Sequence, residues 1–170
     1  MTDQRTAPED DRMGEVYDRV AKNLREILST TGNITRGEFD KALKRAGTSV
    51  DEASQFTKDE INKAKEAVRK DWQSFANAAN TRKTEFLQSE QFQRFADTSL
   101  GALGKLTKSI KDWATFLDEK IENQITFHTG EVAGAGTFEC TECGKTLTMK
   151  KSGRIPPCSA CKNTAFQRKF

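Results

Sequence analysis

TFECTECGKTLTMKKSGRIPPCSACKNTAFQRKF, residues 137–170, holds all four cysteines of the chain, arranged as Cys140-x-x-Cys143 and Cys158-x-x-Cys161 with fourteen residues between the pairs. Two side chains three positions apart on a tight knuckle turn bring their sulfurs to one locus. Two such knuckles close a tetrahedral cage of thiolates, a soft donor set that suits zinc. The separation falls just short of the usual window, which starts at about 15 residues, but ribbon loops vary in length. Two disulfides are the competing reading. With no signal peptide at the start and no fifth cysteine, the motif is instead expected to hold one Zn2+ per chain through Cys140, Cys143, Cys158 and Cys161.

The residues around the pairs agree. Gly144 and Lys145 follow the first pair, and a glycine there can take the left-handed conformation that turns backbone N–H groups toward sulfur. Lys162 and Asn163 fill the equivalent place after the second, where asparagine tolerates positive φ. Pro156 and Pro157 lead stiffly into Cys158. Thr137–Cys140, Thr146–Lys150 and Thr164–Arg168 are short β-prone stretches, enough for a three-stranded ribbon with Phe138, Leu147, Met149, Ile155 and Phe166 as a miniature core.

A unit of this size is too small to fold on apolar burial alone, so metal must supply much of its stability. The rest of the 170 residues can bury a core of its own. Hydrophobic residues make up 35% and charged ones 31%, which with a mean hydropathy of −0.75 describes a highly solvated, helix-prone chain. No apolar run approaches the ~18 residues of a membrane span.

Working back from the ribbon, His128 to Gly136 carries Gly130, Gly134 and Gly136 and reads as a hinge. Before it, helical periodicity dominates. Met13, Val16, Tyr17, Val20, Ala21, Leu24, Ile27 and Leu28 recur at steps of three and four from a start near Glu9, after a disordered tail over 1–8. Thr35 to Glu38 has the form of a capping box and opens a short helix ending at Gly47; Thr57 to Glu60 repeats it and opens a stripe of Ile61, Ala64, Val68, Trp72, Phe75, Ala76 and Ala79. The polar interval 80–85 is either a turn or a weak continuation. A further stripe runs from Phe92 to Ile121 through Trp113, with Gly101 and Gly104 favouring a kink or close contact. Helices with one apolar face each must pack together. The expected fold is mainly α: a long-helix hairpin or small helical bundle over 9–127, coiled-coil-like and able to form a homo-oligomer, then the hinge over 128–136 and a small C-terminal β zinc ribbon over 137–170.

The run from His128 through Gly130-Glu131-Val132, Gly134 and Gly136, into the two cysteine pairs and the closing Phe166-Gln167-Arg168, resembles the YbeL-like zinc ribbon-containing proteins, an uncharacterised bacterial family. The motifs that carry the resemblance cover about the last quarter of the chain; before them the similarity is one of architecture. It implies zinc on the same four cysteines and a bacterial, cytoplasmic location, and it supplies no substrate.

Function classes narrow by elimination. Four thiolates fill all four zinc positions, so hydrolytic zinc chemistry has no open site. The single histidine, His128, excludes the paired Glu-x-x-His motifs of a di-iron bundle; no serine, histidine and aspartate constellation is read around it, and the spacing of Gly130 to Gly136 is not a nucleotide fingerprint. No enzyme is expected. The leading expectation is a structural zinc ribbon that binds a protein or nucleic acid; a rubredoxin-like iron-sulfur electron-transfer module is the alternative, because sulfur ligands alone do not discriminate iron from zinc. Lys105, Lys108 and Lys111 flank the apolar stripe as in an interfacial helix, but a buried face fits better and membrane association is not expected. Residues 137–170 hold seven basic side chains against two acidic ones, a net of +5, which leaves −2 for the remainder of a chain whose total is +3. Zinc with four thiolates adds a formal charge of about −2, so the folded ribbon stays basic. Lys150, Lys151, Arg154, Arg168 and Lys169 are the candidate nucleic-acid contacts.

Overall fold

The computed structural model describes residues 7–30, 35–53, 56–88 and 125–170. Three helices, α1 (Ala7–Ser29), α2 (Arg36–Ala53) and α3 (Lys58–Gln88), precede six short strands. The strands are β1 (Thr126–His128), β2 (Val132–Ala133), β3 (Gly136–Cys140), β4 (Thr146–Met149), β5 (Gly153–Arg154) and β6 (Ala165–Lys169). The stripe expected between Phe92 and Ile121, the lysines beside it and most of the N-terminal tail lie outside the described residues.

Both capping boxes form. The Thr35 N–H donates to Glu38 Oε2 at 2.8 Å and the Glu38 N–H returns to Thr35 Oγ1 at 3.3 Å; the same exchange joins Thr57 and Glu60 at 2.7 and 3.2 Å. Each helix buries the face its periodicity marks. Val16, Tyr17, Val20 and Leu24 of α1 meet Phe39, Leu43 and Val50 of α2 and Ile61, Val68, Trp72 and Phe75 of α3 in one core. Phe39 stacks on Trp72 with ring centroids 5.2 Å apart. Gly47 does not end α2. The apolar stripe continues to the buried Val50, and a Cβ at Gly47 would come within 2.6 Å of Lys65 Cδ, so the glycine there serves a close approach of α2 to α3 and not a helix stop. The polar interval 80–85 continues α3.

The β part is larger than expected, and "mainly α" understates it. β1, β6, β3 and β4 form a four-stranded antiparallel sheet in that order, and β2 pairs with β5 in a second, two-stranded one. β1 begins within the span expected to be helical: Phe127 pairs with Phe166 and packs edge-on to Phe138 at 5.3 Å. The ribbon core is Phe127, Ala133, Phe138, Ile155 and Phe166, with Leu147 and Met149 partly buried against it.

The segment expected as a hinge is instead the seam between helices and strands. Val132 joins the helical core, Ser152 Oγ donates to Asp18 Oδ1 on α1 at 2.7 Å, and the C-terminal Phe170 packs edge-on to Phe75. At the centre lies the fully buried Asp71 of α3. Its Oδ2 accepts from Tyr17 Oη at 2.5 Å and from the Gly134 N–H at 2.6 Å, while Oδ1 accepts from Arg168 Nη2 at 2.6 Å. Arg168 also donates to the carbonyls of Gly134 and Ala135, both at 3.1 Å, and stands over the Phe138 ring at 4.5 Å. Burial, then the charge of Asp71, pushes the Tyr17 pKa well above its usual value, so the phenol remains a donor. Side chains crowd the glycines: a Cβ at Gly134 would meet Tyr17 Oη at 2.6 Å, and one at Gly136 would meet Arg168 Nη1 at 2.3 Å. These glycines make room for the network; they do not confer a hinge.

Two predictions follow from this packing. Arg168→Met leaves Asp71 charged and buried without its counter-ion, and removing one partner of such a pair costs about 3–5 kcal/mol. Urea unfolding followed by circular dichroism is expected to show that loss in a single transition covering helices and strands. The second concerns acid. Glu60 is lowered to about 2, first by the hydrogen bond from Arg12 (2.6 Å) and then by the Thr57 backbone N–H. A carboxylate with a depressed pKa contributes stability above its unfolded value of about 4.5 and loses it as pH falls toward about 2. Glu60→Gln should therefore flatten the fall in stability across that window and lower stability at pH 7.

Candidate metal centre

The two knuckles are copies of one backbone turn. The Gly144 N–H donates to the Cys140 carbonyl at 3.0 Å and the Cys140 N–H to the Lys145 carbonyl at 3.0 Å; Lys162 to Cys158 at 2.9 Å and Cys158 to Asn163 at 3.0 Å repeat the pattern. The fourth residue after each leading cysteine is left-handed, with φ of 70° at Gly144 and 64° at Lys162. Sequence placed that conformation at Gly144 correctly but favoured Asn163 in the second knuckle. Lys162 takes it, at a cost of about 1–2 kcal/mol for a side chain bearing a Cβ.

Asn163 has a different task that spacing did not reveal. Its Nδ2 donates to Thr141 Oγ1 at 3.1 Å, to the Ala165 carbonyl at 3.3 Å and toward Cys140 Sγ at 3.5 Å. It thereby ties the second knuckle to the first and supplies a donor outside the sulfur set, as metal ligands commonly require.

The four sulfurs converge. Cys140 Sγ lies 3.5 Å from Cys161 Sγ, Cys143 Sγ lies 3.6 Å from Cys158 Sγ, and all four fall within 4.8 Å of one another. Metal–sulfur bonds of about 2.3 Å in a tetrahedron give sulfur separations of about 3.8 Å, so the residues fit a tetrathiolate ion without rearrangement of the fold. Cys140 and Cys158 face the ribbon core, whereas Cys143 and Cys161 are exposed.

The electrostatics also call for a cation. Cys140 is lowered to about 6, first by the Cys143 backbone N–H, with further donors from the Glu142 backbone and the Asn163 side chain. Cys158 is lowered by the backbone N–H groups of Cys161 and Ala160. For Cys161 the Asn163 backbone N–H also pulls downward, but desolvation and the sulfurs of Cys143, Cys140 and Cys158 outweigh it and push the thiol up to about 12. Oriented amides can support some thiolates in this space but not all four; a divalent ion reverses that balance.

Of the five residues expected to contact nucleic acid, one is interior and two are engaged by neighbours. Arg168 is buried, with its side chain 1% exposed, and its guanidinium is committed to Asp71; it cannot reach a phosphate. Lys169 pairs with Glu139 at 3.0 Å, and Arg154 donates to the Gly130 carbonyl at 2.9 Å. Lys150 and Lys151 are exposed on the turn between β4 and β5, close to α1. His128, the last residue of β1, is exposed, its Nδ1 3.5 Å from Glu131 Oε1, and is not in the sulfur cluster. Sequence reasoning missed Asp71 as well. The available signal was an acid next to Trp72 and three residues after Val68, on the flank of an apolar stripe.

Set against known proteins, the chain matches the family described as a zinc-ribbon containing domain over residues 26–170. It is 23% identical over 155 residues to the uncharacterized protein YbeL of Escherichia coli strain K12, and to the YbeL proteins of E. coli O6:H1 and O157:H7, covering 89% of this chain and 96% of each relative. No solved structure matches it significantly.

Replacing Cys143 by Ser is expected to abolish stoichiometric metal retention, measured by elemental analysis. Because β6 carries Phe166 into the ribbon core and Arg168 to Asp71, and Phe170 just after it packs against the helical core, the same variant should speed amide exchange in α1 and α3. That departs from the expectation of independent modules, under which the helices would keep full protection.

Proposed function

Since the chain belongs to the zinc-ribbon containing domain family, we propose that it is a non-enzymatic, zinc-stabilised interaction protein. The ion is held by Cys140, Cys143, Cys158 and Cys161, and its role is to fix the ribbon against the helices. The observation that carries this reading is the closure of the site: four sulfurs within 4.8 Å of one another, each from a knuckle whose backbone bonds are satisfied. A tetrathiolate ion keeps no position for water or substrate, so the metal supplies folding energy and not Lewis-acid chemistry.

The surroundings support a scaffold. The buried groups that join the sheet to the helices, Arg168, Asp71 and Tyr17, bond to one another: Asp71 accepts from both of the others. A groove of about 660 Å³ lies between α3 and the β1–β2 turn, lined among the described residues by Arg69, Lys70, Glu131 and Arg154. Within it Lys70 pairs with Glu131 Oε2, which also accepts from the His128 N–H at 3.0 Å.

The test is metal analysis on protein purified without added metal. One zinc per chain, lost on chelation together with helix protection, is the expected result. Iron at that stoichiometry with a thiolate charge-transfer spectrum would replace this reading by an electron-transfer module, and metal well below one per chain would remove it.

A further inference from the structure

We infer that the outer face of α1 and α2 is a docking surface for the phosphodiester backbone of a nucleic acid. The inference rests on the reading of the protein as a non-enzymatic interaction module and names its partner class. Lys22 and Arg25 of α1 and Lys41, Lys44 and Arg45 of α2 point away from the core, and none of them has an ion-pair partner among the described residues.

They line two grooves. One, of about 390 Å³, lies between α1 and the β4–β5 turn and takes in Arg19, Lys22, Arg25 and Lys151. The other, of about 590 Å³, runs beside α2 past Ile27 and holds Lys41, Lys44 and Arg45. The carboxylates of the first groove are engaged: Glu15 pairs with Arg19 at 2.7 Å and Asp18 accepts from Ser152. Among the described residues, no acidic side chain lines the second groove. Glu26 is exposed on α1 and offsets one positive charge.

Two comparisons select the partner. Lys145 and Lys162, exposed cations of the ribbon tip, sit within the knuckles and balance a tetrathiolate centre whose formal charge is about −2; the groove beside α1 sets Arg19, Lys22, Arg25 and Lys151 against Glu15 and Asp18, and the groove beside α2 sets its three cations against no carboxylate among the described residues. A membrane surface would need apolar side chains to insert beside the cations, but the apolar stripes of α1 and α2 are spent in the core. Long, flexible cationic stems one helical turn apart can track a polyanion backbone without reading bases.

The experiment uses the full metal-loaded chain and fluorescence anisotropy with labelled single-stranded and duplex oligonucleotides, from low to moderate salt. Binding is expected with a log-log salt slope of roughly −0.7 to −0.9 per phosphate neutralised, so about −3.5 to −4.5 for the five cations. Lys41→Glu, Lys44→Glu and Arg45→Glu together should weaken it by roughly a hundredfold, and Lys22→Glu with Arg25→Glu should weaken it too. Lys63→Glu, at a lysine paired with Asp59 on α3, should not. Circular dichroism and metal content are read on each variant. Absence of oligonucleotide binding at low salt by a folded, zinc-loaded chain would overturn the inference while leaving the zinc-scaffold reading intact. Binding indifferent to both α1 and α2 variants, or binding only to anionic lipid vesicles, would also overturn it. Loss of zinc stoichiometry in the unmodified chain would strike the scaffold reading instead.

Discussion

The ion pair of Asp71 with Arg168 organises the molecule, because it draws one side chain each from α1, α3 and β6 and a backbone amide from the β2–β3 connection to a single dry point. Burying two charges gains little over a well-packed apolar alternative, yet leaving either charge alone is severely unfavourable. Such a pair therefore selects one docking of ribbon on helices more than it adds stability. Its demands spread outward. Tyr17 must keep its proton to donate, and Gly134 and Gly136 must lack side chains. Phe127 and Phe138 must offer aromatic faces to the guanidinium.

Strand β6 transmits this constraint to the metal centre. Phe166 stands opposite both Phe127 and Cys140, and two residues along the same face Arg168 reaches Asp71. The side chains of a strand alternate, so a register slip of one residue would expose Phe166 and Arg168 and bury Gln167 and Lys169. Sulfur convergence thus fixes the register that places Arg168. The ribbon core, with five apolar side chains apart from its cysteines, is small enough that ion binding must supply folding energy. That energy extends to the helices through a strand they share.

What could be read in the sequence was local. Four ligands at knuckle spacing, two Thr-x-x-Glu caps and three apolar stripes each follow from a chemistry that acts within a few residues. What could not be read was non-local. Phe127 looked like the tail of a helical region because its partner Phe166 lies far along the chain. Glycine signals misled twice for a single reason: at Gly47 and Gly134 the missing Cβ accommodates a distant side chain, Lys65 or Tyr17. Lys162 took a left-handed conformation that propensity assigns to glycine or asparagine, since the repeated knuckle bonds dictate it whatever residue occupies the position.

Charge shows the same division between count and placement. Residues 137–170 are strongly basic by formula, but Arg168 is interior, Lys169 is paired and Arg154 is bound to a carbonyl. The rest of the chain is acidic by formula, but many of its described carboxylates are drawn into structure. Glu38 and Glu60 close helix caps, Asp71 is buried, Asp40 pairs with Arg69 and Glu15 with Arg19. Acids consumed in this way leave the lysines and arginines of α1 and α2 to set the local field, because exposed charges beyond about 10 Å are screened at moderate salt. A segment that carries net negative charge can therefore present a positive face.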